Sequence, residues 1–215
     1  MGESDWALAT GDIKVLPAIL YVHLSHAVSR YRDLLQRSRR RGELDYVAWL
    51  TRNLVELSVW VEYCSQSAQN AEEFFRDAVR DLVDINKNVG GLTPETMKDL
   101  ERAQKFVGTA KGAHKYKHVN DAAEEVGMKL GYAANSKILS KYVHPTAMSL
   151  LATIRDEAAD VVRKQFVDLG RQLAEEAQRR LDSSHIGESY RKYEPTMNRV
   201  LAKLPREKRP FLRLK

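Results

Sequence analysis

Cysteine, glycine and proline are scarce in this chain of 215 residues. The single cysteine, Cys64, excludes an intramolecular disulfide and any metal site built from several thiolates. A chain without disulfides is typical of a reducing compartment, so we expect a cytoplasmic protein. The eleven glycines and six prolines cluster between segments of helical periodicity, and strand-like alternation is rare. This pattern predicts an all-α protein, a bundle of about six to seven helices.

Long hydrophobic runs are also missing. The longest, Val15–Val22, contains Pro17 and is far too short to span a bilayer. The N-terminal segment is acidic and lacks the pattern of a secretory signal, and Trp6 stands where myristoylation requires Ser or Thr. We therefore expect no membrane association.

Fingerprints of cofactor-dependent and well-known catalytic sites are absent too. The chain has no phosphate-binding Walker loop, dinucleotide fingerprint, zincin motif or serine elbow. His23 and His26 are about one turn apart, as are His114 and His118, but neither pair has the Glu-x-x-His companions of bundle metal sites. We expect no cofactor and no metal, and Cys64 is interpreted as a small core residue.

The net charge of +6 is confined to the C-terminal end. Residues 184–215 contain nine Lys or Arg and three Asp or Glu, whereas the rest of the chain is balanced. Because 43% of the residues are apolar, the chain can bury a real core. We predict a helical bundle domain over residues 1–183 and a basic, partly flexible tail over 184–215.

Capping residues and apolar stripes divide the chain into predicted helices. The last is one long amphipathic C-terminal helix, and a partner helix packed along it favours a homodimer. The predicted ranges are 14–40, 44–67, 70–87, 94–107, 120–127, 132–143 and 145–182.

Polar residues interrupt the second predicted helix, which is otherwise apolar around most of its circumference. Arg52 and Glu56 lie four positions apart and can meet on one face. A charge on a buried helix is costly unless it is paired. One interpretation is a guanidinium that Glu56 holds and directs toward a phosphate or carboxylate. The alternative is a structural bridge that fixes helix packing.

A second polar group occurs in the sixth predicted helix. His144 follows Ser140 by four residues, and its pKa near neutrality suits proton transfer. Lys137 or Lys141 would stabilise developing negative charge. Alternatively, His144 caps the helix and Ser140 bonds back to a carbonyl.

Two basic segments alternate cations with aromatics, a composition suited to nucleic acid. Either one is also typical of solvated surface, or of a tail that docks an acidic partner protein. The candidate contacts are Lys115 and Lys117 in the segment 111–118, and Arg191 and Lys192 in the tail.

Two stretches resemble a group of uncharacterised bacterial all-helical proteins. They are WLTRNLVELSVWVEYCSQSAQNAEEFFRDAVRD at 49–81 and KILSKYVHPTA at 137–147. More distantly, an Arg- and Glu-bearing helix followed by a polar-x-x-x-His helix resembles HEPN domains. That family implies a dimeric helical bundle, often a metal-independent ribonuclease of toxin–antitoxin or phage-defence systems.

The HEPN site implied by this resemblance is an arginine four to six residues before a histidine. His144 matches the histidine, Lys137 stands at the arginine position, and Ile138 and Pro145 depart from the pattern. The resulting hypothesis is a HEPN-like protein that binds RNA or another phosphate-bearing ligand. Arg52 and Lys137 would hold phosphate, while His144 with Ser140 would transfer a proton. The alternative is a non-enzymatic interaction module in which the Arg, Glu and His are a structural polar network.

Overall fold

The computed structural model describes residues 16–39, 43–89, 117–144 and 156–202. Within these ranges every regular element is a helix and no strand occurs, which confirms the predicted all-α class. The helices are α1 (Leu16–Ser38), α2 (Leu44–Gln66), α3 (Ala68–Val89), α4 (Val119–Glu125), α5 (Lys129–Val143), α6 (Asp156–Ser183) and α7 (His185–Ala202). No helix in the described part of the chain is long and apolar enough to cross a membrane.

The start of α3 differs from the prediction, which put the cap at Asn70. The helix begins at Ala68, and Ser67 is its cap. The backbone N–H of Asn70 donates to the Ser67 hydroxyl oxygen at 3.0 Å, and that hydroxyl donates to Asn70 Oδ1 at 2.7 Å. Both residues carry good capping side chains, and Ser67 is the one that satisfies an orphan N–H of the first turn.

The helices α4 and α5 are joined by a tight turn. Gly127, at a φ of 75°, lies in the left-handed region that glycine adopts without strain. Its N–H donates to the Glu124 carbonyl at 3.1 Å. Helix α5 then begins at Lys129, three residues earlier than predicted, and ends at Val143 as predicted.

The C-terminal prediction is met only in part within the described residues. Helix α6 covers Asp156–Ser183 of the predicted range 145–182, and residues 145–155 are not described. The segment predicted as a tail contains helix α7, in which Ile186 is fully buried. The predicted helix 94–107 and residues 203–215 lie outside the described residues.

The chain divides into two compact units. The first unit comprises residues 1–22, 64–117 and 184–215, and the second comprises 23–63 and 118–183. In the first unit, Ala18, Ile19 and Val22 form a buried cluster with Tyr190 and Tyr193 packed against it. Burial and a hydrogen bond to Glu194 raise the pKa of Tyr190 to about 12.

The core of the second unit is built where α1, α2 and α6 approach closely. Gly170 of α6 allows this approach, because a Cβ there would lie 2.5 Å from Leu35 Cδ2 and 3.2 Å from Leu54 Cδ1. Thr51 shares its hydroxyl proton between the carbonyl oxygens of Val47, at 2.9 Å, and Phe166, at 3.1 Å. A buried polar group is therefore fully satisfied at the centre of this packing.

Contacts at the two ends of the second unit show that α1, α2, α5 and α6 alternate in direction. One end holds the contacts between Tyr31 and Trp49 and between Tyr142 and Phe166, whose ring centroids are 5.8 and 5.2 Å apart. The other end holds the hydrogen bonds of Ser25 with Gln178 and of Arg180 with Glu62. The end of α1, the start of α2, the end of α5 and the start of α6 therefore share one end, which we call the aromatic end.

Candidate functional site

The predicted pair on α2 is formed, and it is neither sealed in the core nor fully solvated. Arg52 Nε donates to Glu56 Oε1 at 3.2 Å, and the two side chains are 31% and 33% exposed. Arginine before glutamate is the weaker order for helix stabilisation. Among the described residues no hydrogen bond engages the two terminal nitrogens of Arg52. Within the described residues its planar fork therefore has no acceptor at these two nitrogens.

Helix α5 places a tyrosine hydroxyl beside this pair. Burial raises the pKa of Tyr132, the Glu56 carboxylate raises it further, and a hydrogen bond with Ser136 and the Arg52 charge act in the opposite direction. The net effect is a raised pKa, so the phenol stays protonated and able to donate at neutral pH. Tyr132 and Ser136 therefore join the candidate site, and neither was predicted from the sequence.

A signal for these residues was present in the sequence. Polar side chains recur at every fourth position of α5, at Tyr132, Ser136, Ser140 and His144, and such spacing keeps them near one face. The residues between them are mostly apolar, small or basic, so no local feature distinguished Tyr132 from a core residue. Its neighbours on α2 define its environment.

Ser140 and His144 lie at the opposite end of α5 from Tyr132. The backbone N–H of His144 donates to the Ser140 carbonyl at 3.3 Å, which closes the last turn, and the His144 side chain is exposed. At about 1.5 Å per residue, His144 lies roughly 18 Å along the helix axis from Tyr132. The candidate residues of α5 therefore spread along the helix and do not surround one point.

The start of α2 lies near the end of α5, because Trp49 and Val143 line one cavity, and the two helices run antiparallel. The charges of Glu56 and Arg52 on α2 also act on Tyr132 of α5. We call the surface between α2 and α5 the α2–α5 groove.

An exposed aromatic pair begins this groove. Tyr46 and Trp49 are each 41% exposed, and their rings stack with centroids 6.0 Å apart and planes 17° from parallel. They border a cavity of about 540 Å³ with Glu43, Asp45 and Val143. Adjacent exposed aromatic side chains often mark an interaction site. From the sequence both were expected in a mostly buried helix, and their exposure is a result of the packing.

The remaining predicted cations are distributed over both units. Lys137 and Lys141 are exposed on α5 in the second unit. Lys117 belongs to the first unit, where its backbone N–H donates to Asp77 Oδ2 at 3.0 Å. Arg191 and Lys192 are exposed on α7 of the first unit, and Lys192 Nζ lies 5.3 Å from the centroid of the Tyr193 ring. Lys115 lies outside the described residues.

The histidines and the cysteine have other environments. Crowding by protein atoms lowers the pKa of His23, although its side chain keeps contact with solvent, and the charge of His26 lowers it further. In the part of the chain that is described, no three His, Cys, Asp or Glu converge on a common point. Cys64 is buried, as predicted, and burial raises the pKa of its thiol, so the nucleophilic thiolate is suppressed.

Comparison with known proteins gives no further guide. The chain matches no protein-family model, no curated protein and no solved structure.

Proposed function

We propose that the protein binds RNA, or a related phosphate-bearing ligand, along the α2–α5 groove. The observation that carries the proposal is the half-exposed Arg52, which Glu56 engages through Nε alone. A carboxylate in this position holds the guanidinium and leaves its paired terminal donors for a phosphate. A sealed structural network would instead use up these donors and exclude solvent.

The chemistry along the groove suits a single strand. The exposed faces of Tyr46 and Trp49 are available for base stacking, which is tolerant of sequence. The carboxylates of Glu43 and Asp45 line the same cavity. They would accept hydrogen bonds from base amino groups and repel phosphates. The backbone would then follow the cationic side, where Arg52, Lys137 and Lys141 neutralise phosphate charge.

Cleavage is the catalytic form of this proposal, in line with the HEPN-like bacterial proteins that the chain resembles. His144 would remove the proton from a ribose 2′-hydroxyl, whose oxygen attacks the adjacent phosphorus to form a 2′,3′-cyclic phosphate, while the 5′-oxygen leaves and takes a proton from water. Ser140 would position His144, and Arg52 with Lys137 would stabilise the charge on phosphorus. These roles need Arg52, Lys137 and His144 within hydrogen-bond reach of one phosphodiester.

Binding is tested by fluorescence anisotropy with a labelled single-stranded RNA. We expect Arg52→Gln to weaken binding about tenfold, because it removes a charge-assisted contact. Trp49→Ala should weaken it by about the same factor, whereas Trp49→Phe should retain most of the stacking. Arg32→Gln is the matched control, since Arg32 bonds Asp33 on the exposed side of α1. Equal losses in Arg52→Gln and Arg32→Gln would mean nonspecific charge and contradict the proposal.

Cleavage is tested separately, with the same RNA in the presence of a metal chelator. The wild type should cut the RNA, and His144→Ala should lower the rate at least about a hundredfold while affinity stays unchanged. A wild type that binds but never cleaves would remove the ribonuclease and leave the binding function. Activity that survives His144→Ala would exclude this mechanism.

A non-enzymatic interaction module is the second candidate. The Arg52–Glu56 bond lies within one helix and needs no ligand, and Arg191 and Lys192 present exposed charge on α7 for an acidic partner. This function is favoured if the wild type has no RNA affinity beyond that of the Arg32→Gln control. Binding of a polyglutamate peptide that is lost in Arg191→Gln/Lys192→Gln would then support it.

We also propose that the protein forms a homodimer through α6. Helix α6 carries Val161, which is 59% exposed, and a second copy packed along α6 would cover it. Light scattering should give twice the chain mass of 24.6 kDa, and Val161→Glu should return the mass to that of one chain. A monomeric wild type would exclude the dimer.

A further inference from the structure

A second cluster of cations lies at the aromatic end of the second unit, outside the α2–α5 groove. Arg39, which follows α1, and Arg163 and Lys164 of α6 line a cavity of about 390 Å³ together with Asp160. That volume is at the lower end of the range for small-ligand sites, roughly 300–1,000 Å³. Among the described residues of the lining, three cations stand against one carboxylate, a positive balance.

Arg163 is the least ordinary of these residues. Its side chain is only 18% exposed, and one terminal nitrogen pairs with Asp160 on the same helix. Its Nε is buried and has no hydrogen-bond partner among the residues that the structure describes. A buried donor without an acceptor costs about 1–3 kcal/mol, so such a group usually marks a missing partner.

The neighbouring side chains indicate which partner is missing. Arg39 and Lys164 are exposed cations with no carboxylate of their own among the described residues, and they border the same cavity. A tetrahedral oxyanion presents several acceptors at once, which fits a guanidinium with two further charges around it. A neutral acceptor would leave Arg39 and Lys164 in mutual repulsion.

We propose that Arg39, Arg163 and Lys164 form an oxyanion site that takes phosphate groups, and that Asp160 positions the Arg163 guanidinium. The site is separate from Arg52, and phosphate binding here does not depend on the function proposed above. The phosphate comes either from an RNA backbone or from a small phosphorylated ligand, two sources with the same chemistry.

The first measurement is a titration with inorganic phosphate, followed by NMR of the backbone amides and compared with chloride at equal ionic strength. We expect saturable shifts around residues 160–164. Arg163→Gln should weaken phosphate binding at least about tenfold, since it removes a charged partner of the anion. Lys164→Gln should weaken it by about threefold, as expected for an exposed point charge.

Arg171→Gln is the matched control, because Arg171 lies exposed on the same helix near Asp168 and Glu175. It removes equal charge and should leave phosphate binding unchanged. Lys164→Gln also covers the case in which Arg163→Gln does not fold, since Lys164 is exposed and its loss leaves packing intact. Phosphate shifts no larger than those of chloride, or equal losses in Arg171→Gln and Lys164→Gln, would overturn the site.

Repeating the RNA titration with Arg163→Gln then identifies whether the bound phosphate belongs to RNA or to a small ligand. A parallel loss of RNA and phosphate affinity assigns the site to the RNA backbone. Loss of phosphate affinity alone assigns it to a small phosphorylated ligand, and both results support the oxyanion site. The phosphate-dependent shifts around residues 160–164 should persist in Arg52→Gln, so failure of the RNA proposal is distinguishable from failure of this one.

Discussion

The two faces of α2 use polar residues in opposite ways. On the face toward α6, the Thr51 hydroxyl is buried and donates to carbonyl oxygens of two helices. On the face toward α5, Arg52 makes one bond with Glu56 and keeps about a third of its surface in solvent. Within the described residues, the polar group on the first face has all its partners, and Arg52 on the second has donors without an acceptor. This difference supports a structural role for the first face and the proposed binding role for the second.

A second ion pair in the molecule shows the same contrast. In α3 of the first unit, Arg76 donates to Glu72 through both Nε and a terminal nitrogen, and its side chain is only 9% exposed. Glutamate precedes arginine there, which is the favourable order for a helix. Glu72–Arg76 therefore has the features of a structural pair that Arg52–Glu56 lacks.

The largest effect is expected where the packed face of α2 meets α6. Leu35→Ala should lower the free energy of unfolding by about 2–5 kcal/mol, because Leu35 is fully buried. Gly170→Ala should lower it by about 1–2 kcal/mol, since the clash with Leu35 outweighs the gain in helix propensity. In the Leu35→Ala background, the Gly170→Ala change should become stabilising. Urea unfolding measures all three.

Gly131→Ala is the control for that series, because a Cβ at this exposed helical position meets no atom within 4 Å. It should stabilise the protein by up to about 1 kcal/mol. If Gly170→Ala behaved like Gly131→Ala, the close approach of α1, α2 and α6 would be wrong.

The next largest effects on stability should distinguish the Glu72–Arg76 pair from the Arg52–Glu56 pair. Arg76→Gln should cost about 1.5–3 kcal/mol of unfolding free energy, since it removes a buried charged partner of Glu72. Arg52→Gln should change it by less than about 0.5 kcal/mol, because a half-exposed pair contributes little. Chemical denaturation under one set of conditions makes the comparison. An equal, large loss in both variants would favour a structural role for Arg52.

Thr51→Val should have an intermediate effect of about 1 kcal/mol. The substitution preserves shape and removes the hydroxyl, while the two carbonyl groups keep their helical hydrogen bonds. Asn53→Ala is a suitable comparison on the more exposed side of α2, where the Asn53 side chain donates only to the Trp49 carbonyl. Thermal unfolding should rank Thr51→Val below Asn53→Ala in stability. The reverse order would contradict the contrast between the faces.

The smallest expected effects are on the pKa of Tyr132, which can be measured by NMR of labelled tyrosine. Glu56→Gln should lower this pKa, and Arg52→Gln should raise it, because each removes one of two opposed charges. The folded pKa lies above the ordinary value of 10.0, so the unfolded chain loses the proton first. Stability from this group is complete below pH 10.0 and falls as pH rises through the folded pKa. No response to either variant would place Tyr132 away from the pair.

The sequence predicted the fold class and several helix limits well. Apolar periodicity and capping residues gave α2 to within one residue of its observed end and the exact end of α5. These features depend on residues a few positions apart, so a local pattern records them. The start of α3 was missed because Ser67 and Asn70 are both good caps, and only the geometry of the turn selects Ser67.

Only some residues of the candidate site were predicted from the sequence. Arg52 and Glu56 were found because charge stands out in an apolar helix, whereas Tyr132, Trp49 and Arg163 carry no such mark. A tyrosine or tryptophan in an amphipathic helix is interpreted as a core residue until its neighbours are known. Likewise, Arg163 is ordinary in the sequence and becomes unusual only through the burial of its Nε.

What the sequence determined by itself is the helical class, the limits of α2, the pairing of Arg52 with Glu56, and the concentration of positive charge after residue 183. Each follows from spacing along one helix or from composition. Only the tertiary structure decided which polar groups have hydrogen-bond partners for all their donors. Burial and hydrogen bonding depend on side chains from distant parts of the chain, such as Phe166 against Thr51, and no local pattern encodes that approach.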